Sequence, residues 1–231
     1  YKGGISVVLA APDDRLTAQW DHSGKKEVLK TWSLQDLAQL KKTSSQEKDP
    51  ISGKMAQWNG PLLTIVLDEA LSQLPAERRA QVDLIILKNS QGAQAFIPRS
   101  FIVRYPVLLA LQKNKRDLGS EGPIYSVVPW STKAKVLQEG VPIESFFVSS
   151  IAHVELANYR EKYGNLYLTR RTDPAAMRGE KLFVQNCVSC HAGGKGPSIH
   201  DMTTPAGELK TRSLTSAGHP PVKGCLLYTS D

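Results

Sequence analysis

Apolar and polar residues alternate along Leu16–Trp20, and the turn-forming run Asp21-His22-Ser23-Gly24 follows; together they predict a β-hairpin. Ser33 followed by Asp36 has the spacing of a capping box, which predicts a short helix over Leu34–Leu40. Residues 41–54 are polar, contain Asp49-Pro50 and Ser52-Gly53, and read as loop. Asn59-Gly60-Pro61 is expected to open a helix from Leu62 to Leu74. Its residues Leu63, Val66, Leu67, Ala70, Leu71 and Leu74 recur at helical spacing. Val82–Leu87 reads as a buried strand, Ser90-Gln91-Gly92 as a turn, and Ala93–Ile97 as its partner strand. Arg99–Gln112 is expected to be helical after Pro106, and Asn114–Gly122 to be a charged turn. Ile124–Val128 predicts a strand closed by Pro129-Trp130, and Ser145–Leu156 a long strand rich in Phe, Val and Ile. Strands and helices mixed in this order predict an α+β domain with a mixed sheet.

The ends read differently. Ile5–Ala11 is a short apolar run ending in small residues before Pro12. It fits either the tail of a secretory signal or a first strand. Thr169–Pro174 marks a shift in composition, and Asp173-Pro174 is a good helix start. The expected organisation is an α+β domain over residues 13–168, a small all-α domain over 174–223, and a tail, 224–231, resembling translated adapter sequence. Cys225, in that tail, is given no role.

Charge changes the picture little. The 231 residues carry a formal net charge of +7. Residues 1–170 hold 22 basic and 17 acidic side chains, and 171–231 hold 7 and 5, so the charge is dilute rather than striped. That argues against nucleic acid as a partner and leaves an acidic protein as the expected one. No apolar run reaches the ~18 residues a membrane span requires.

Cys187-Val188-Ser189-Cys190-His191 carries the chemistry. C-x-x-C-H is the haem c attachment pattern. Cysteines three apart sit on one helical turn, so both sulfurs reach the two vinyl groups on one haem edge. The adjacent histidine then lies under the porphyrin as an iron ligand. Two other readings stay open: a zinc site completed by His200 and His219, or a dithiol redox motif. Ala175–Asn186 is expected to be a helix leading into the motif, with Gly179 and Phe183 on one face, and Gly196-Pro197-Ser198-Ile199 follows the histidine.

These features resemble the N-terminal half of a class I cytochrome c, over about residues 174–223. The resemblance implies covalent haem on Cys187 and Cys190, His191 as proximal ligand, and Pro197 in the turn that orients His191. It also implies a sixth ligand further along. Met202, eleven residues past His191, stands where that family has an apolar core residue. His219, in Gly218-His219-Pro220, stands at a more suitable distance and would make the iron bis-histidine. The expectation is that the ligand and a C-terminal helix lie past the end of this sequence.

The first domain has no phosphate-binding Gly loop, H-E-x-x-H or G-x-S-x-G. His22 is expected to be solvated in a turn, and His153, on one face with Glu155, to be a satisfied structural histidine. Trp58, Trp130, Tyr105 and Tyr125 could line a pocket, though core packing is the expected use of each. Trp58-Asn59-Gly60-Pro61-Leu62, Phe96-Ile97-Pro98, a helix over Tyr105–Ala110 and the stretch Gly122–Pro129 resemble the molybdopterin-binding domain of the sulfite-oxidase class, over about residues 30–130. Those enzymes ligate molybdenum through a cysteine thiolate. This domain has no cysteine, so molybdopterin is not expected. The function expected is one-electron transfer through haem c in the periplasm, to or from another redox protein. An α+β domain that oxidises a small substrate, or one that binds a partner while the haem reports its state, are the alternatives.

Overall fold

The structure, a computed structural model, describes residues 14–163, except 140 and 142, and Pro174. The Ile5–Ala11 run and the helix expected over Ala175–Asn186 lie outside the described residues. Pro174 itself is helical and exposed.

The expected hairpin is present. β1 (Arg15–His22) and β2 (Lys25–Ser33) pair antiparallel, with His22 opposite Lys25. Ser23 and Gly24 both take positive φ, 52° and 78°, which is what a two-residue turn matched to strand twist demands. The capping box opens α1 (Leu34–Gln39): the Ser33 hydroxyl accepts from the Asp36 amide, and the Asp36 carboxylate accepts from the Ser33 amide at 2.8 Å.

The stretch expected to be loop is instead β3 (Lys42–Lys48), an edge strand. It pairs with β4 (Met55–Pro61), which contains Asn59-Gly60-Pro61; the helix begins only after Leu62. The inward residues of β3 are polar. Buried Glu47 accepts from the Ser131 amide at 3.0 Å and hydroxyl at 2.6 Å, and from the Thr132 amide and hydroxyl. A buried carboxylate satisfied this fully replaces the apolar alternation that marks most strands.

α2 (Leu63–Leu71) buries Leu63, Val66, Leu67, Ala70 and Leu71, as its spacing requires. α3 (Ala76–Gln81) follows, then the antiparallel pair β5 (Leu84–Asn89) and β6 (Gln94–Pro98). The helix expected after Pro106 lies before it, as α4 (Arg99–Arg104). Proline disfavours the α region at the preceding residue, and Tyr105 is extended. Beyond it, β7 (Leu108–Ala110) is a short buried strand where Tyr105–Ala110 reads as helix. A brief hairpin, β8 (Gln112–Lys113) and β9 (Arg116–Asp117), turns through Asn114 and Lys115 at positive φ. β10 (Tyr125–Val127) pairs with β7. Residues 143–146 are a 3-10 turn, so the long strand shortens to β11 (Ile151–Ala157); α5 (Tyr159–Tyr163) follows it directly.

The strands form an α+β domain. The main sheet has the order β2-β1-β11-β5-β6, with β1 and β11 parallel and the other neighbours antiparallel. One face buries Leu16, Trp20, Ile85, Leu87, Val154 and Leu156 against α2 and α4. A second, four-stranded sheet, β3-β4-β8-β9, and the β10-β7 pair share a smaller core around Trp58, Leu108, Tyr125 and Val127. The two cores meet where β4 passes β7. Gly60 is essential at that crossing: a Cβ there would sit 2.0 Å from the Leu109 carbonyl oxygen, a backbone atom that has nowhere to go. Gly60→Ala is therefore expected to lower stability by at least ~2 kcal/mol in guanidinium denaturation. A loss under ~0.5 kcal/mol, ordinary for surface positions, would show that β4 and β7 are not so closely packed.

Candidate functional site

The aromatic residues singled out in the sequence are structural. Trp58 stacks on Tyr125 at 5.3 Å within the smaller core, and both are buried. Tyr105 donates to Glu139 at 2.7 Å, and Trp130 donates through Nε1 to the Lys48 carbonyl at 2.9 Å. His22 ends β1, half-exposed, and contacts the Glu161 carboxylate through Nδ1 at 2.9 Å.

His153 departs from expectation. It does share a face with Glu155 on β11, but its Nδ1 is buried with no hydrogen-bond partner among the described residues. Burial, reinforced by the charges of Lys88 and Lys26, holds the imidazole pKa below its ordinary value and favours the neutral ring.

Beside it lies a charge cluster with no local signature in the sequence. Glu155 is 1% exposed. Its carboxylate accepts from Lys88 Nζ at 2.6 Å, lies 3.3 Å from Lys26 Nζ, and also accepts from Lys162, which bridges to Asp21. Burial alone would raise the Glu155 pKa; the Lys162 and Lys88 hydrogen bonds outweigh it and bring it well below the usual carboxylate range. A similar centre surrounds Lys113, held by Asp49 and Glu121 at 2.9 Å each and lying 4.8 Å from the Trp58 ring centre. There burial works against the Asp49 carboxylate, yet Lys113 and Ser52 lower its pKa to about 2. Both clusters consume their charges internally and bind the strands together.

A cleft of about 590 Å³ opens between α1, the outward face of the four-stranded sheet and the segment after β9. Lys42, Asn59, Gln112 and Asp117 project into it from four different strands. Leu34, Ala38 and Leu118 give it apolar walls. Sequence periodicity could not reveal this site, because each strand contributes only one or two residues. Among the described residues there is no group of three or more His, Cys, Asp or Glu able to hold a metal ion.

Cys187, Cys190, His191, Pro197, Met202 and His219 all lie outside the described residues. Residues 174–219 match the family model of the cytochrome c oxidase, cbb3-type, subunit III. No curated protein matches the chain. The family match supports a C-terminal c-type cytochrome domain, and with it haem, electron transfer and a redox partner. The donor set inside the matched span fits that group: two thiols three residues apart and an adjacent imidazole. Molybdopterin with a thiolate-ligated metal does not fit the first domain, because no cysteine precedes Cys187. No helix among the described residues is long and apolar enough to cross a membrane.

The two buried clusters predict acid sensitivity in two stages. The His153 pKa is lower folded than unfolded, so its contribution to stability is complete above pH ~6.5 and is lost as pH falls below that value. Glu155 and Asp49 contribute fully above pH ~4.5 and lose that contribution as pH falls toward ~2. Glu155→Gln is expected to cost about 3 kcal/mol at neutral pH and to shrink the second stage, since Lys88 and Lys162 would then face a neutral amide. His153→Gln is expected to abolish the first. Denaturant titrations at a series of pH values measure both; parallel pH profiles for variants and parent would show that these groups are not coupled to folding.

Proposed function

We propose that the chain is an electron carrier of the bacterial periplasm, passing one electron at a time between protein partners through haem c. The observation that carries this reading is the placement of Cys187-x-x-Cys190-His191 inside the span that matches a cytochrome family. Cys187 and Cys190 would hold the haem through thioether bonds, and His191 would ligate its iron. When bound, the haem supplies a one-electron couple whose potential depends on its axial ligands. Pro197, by its resemblance to the Gly-Pro turn of class I cytochromes, would set a backbone carbonyl to accept a hydrogen bond from the His191 ring. That bond fixes the tautomer and raises the basicity of the ligating nitrogen. Met202 or His219 would complete the iron, Met raising the potential relative to His.

The periplasm follows from the covalent attachment, which in bacteria is made outside the cytoplasm. The formal charge of +7 favours an acidic partner, with association that weakens as salt rises. In this reading the α+β domain supplies a binding surface rather than a redox centre, since both sulfurs of the haem motif fall outside it.

Expression in a periplasm with c-type maturation is expected to give a haem that stays with the protein through acid–acetone extraction and shows a reduced-minus-oxidised haem c spectrum. Cys187→Ser with Cys190→Ser should release it, and His191→Ala should change the iron's spin and ligation spectrum while the haem stays attached. The far-red band of the oxidised form distinguishes Met from His as sixth ligand. A full-length protein with no haem would overturn the proposal and return Cys187, Cys190 and His191 to zinc or thiol chemistry.

A further inference from the structure

The cleft beside α1 has a chemical pattern that electron transfer leaves unused. Asn59 and Gln112 are register partners across β4 and β8, and Gln112 and Asp117 across β8 and β9. Directly paired residues put their side chains on one face of a sheet. On β3 the partner of Asn59 is Ser44, and Lys42, two residues away, shares that face and lines the cleft. The outward face therefore reads, strand by strand, ammonium, carboxamide, carboxamide, carboxylate. Asn59 is half-buried and the other three are exposed, and none of these four side chains has a hydrogen-bond or ion-pair partner among the described residues. The half-buried lysines elsewhere, Lys88, Lys113 and Lys162, are by contrast all paired.

Spacing narrows the ligand. Lys42 and Asp117 stand on the two outer strands of the four, three inter-strand steps of about 4.8 Å across and two residues of about 3.4 Å along, or roughly 16 Å apart. A free amino acid carries its two charges too close together to meet both groups. An extended chain advances about 3.4 Å per residue, so two or three residues, with the side chains of Lys42 and Asp117 reaching inward, span the gap. A cavity of about 590 Å³ lies within the range that holds such a molecule. Carboxamides suit the middle, because each offers both a donor and an acceptor to a peptide group. Leu34, Ala38 and Leu118 offer apolar contact to a side chain.

We infer that this cleft binds a short zwitterionic peptide, a di- or tripeptide with free ends. Lys42 takes its carboxylate, Asp117 its ammonium, and Asn59 and Gln112 its peptide groups. The inference is independent of the haem.

The test is calorimetric titration of the full-length protein with the tripeptide Ala-Leu-Ala, its acetylated and amidated counterpart, and free leucine. The expected result is saturable one-to-one binding of the uncapped tripeptide, with the capped form at least about tenfold weaker and no saturation by leucine. Lys42→Ala and Asp117→Ala should each weaken binding about tenfold, with circular dichroism unchanged because both side chains are exposed. Absence of saturable binding, equal binding of the capped peptide, or indifference to both variants would overturn the inference. The haem spectrum of the same sample reports separately on electron transfer.

Discussion

The domain depends on one pairing: β1 lies parallel to β11, Thr17 opposite His153 and Asp21 opposite Ala157. Parallel strands cannot be joined by a tight turn, so everything between them must fold back over the sheet before the pairing closes. β11 is then flanked on both sides, by β1 and β5, and buries Val154 and Leu156 on the side of α2 and α4. This long-range closure predicts a high contact order and places the α+β domain among slower folders.

The same pairing explains the charge cluster on the other face. A central strand of a sheet covered on both sides by apolar elements would be apolar throughout, but here, among the described residues, α5 reaches the second face and brings Lys162. Glu155 sits opposite Gln19 and Ile86 in the sheet, flanked by Lys26, Lys88 and Lys162. Buried ion clusters of this kind contribute less net stability than an apolar replacement of the same shape. Their effect is on register. A one-residue slip of β11 would turn Glu155 into the apolar core and strand the lysines without a counter-charge.

Legibility in the sequence tracked locality. The β1–β2 hairpin, the capping box of α1 and the β5–β6 pair are each written within a few neighbouring positions, and could be read there. β3 could not. Its inward positions Thr43, Ser45 and Glu47 are polar, and Glu47 is satisfied by Ser131 and Thr132, far along the chain. Leu108–Ala110 failed for a different reason: a short apolar run has no period of its own, and only its pairing with β10 makes it a strand. The Glu155 cluster and the cleft are non-local in the same sense, drawing one or two residues from each of several separate elements. The Cys187-x-x-Cys190-His191 motif lies outside the described residues; the family match over 174–219 supports the c-type cytochrome domain it predicts.

That asymmetry bears on how labour is divided along the chain. The thiols of the chain are confined to Cys187, Cys190 and Cys225, all C-terminal to the α+β domain. The α+β domain pairs Glu155 and Asp49 with lysines and satisfies Glu47 with Ser131 and Thr132, so these buried carboxylates are already committed to internal partners. Four polar side chains without a partner among the described residues, Lys42, Asn59, Gln112 and Asp117, face the cleft beside α1. Under the function proposed above, electrons reach a haem on the C-terminal domain from a protein partner, and any coupling of the cleft to that haem would be a coupling free energy between two sites, reciprocal between them.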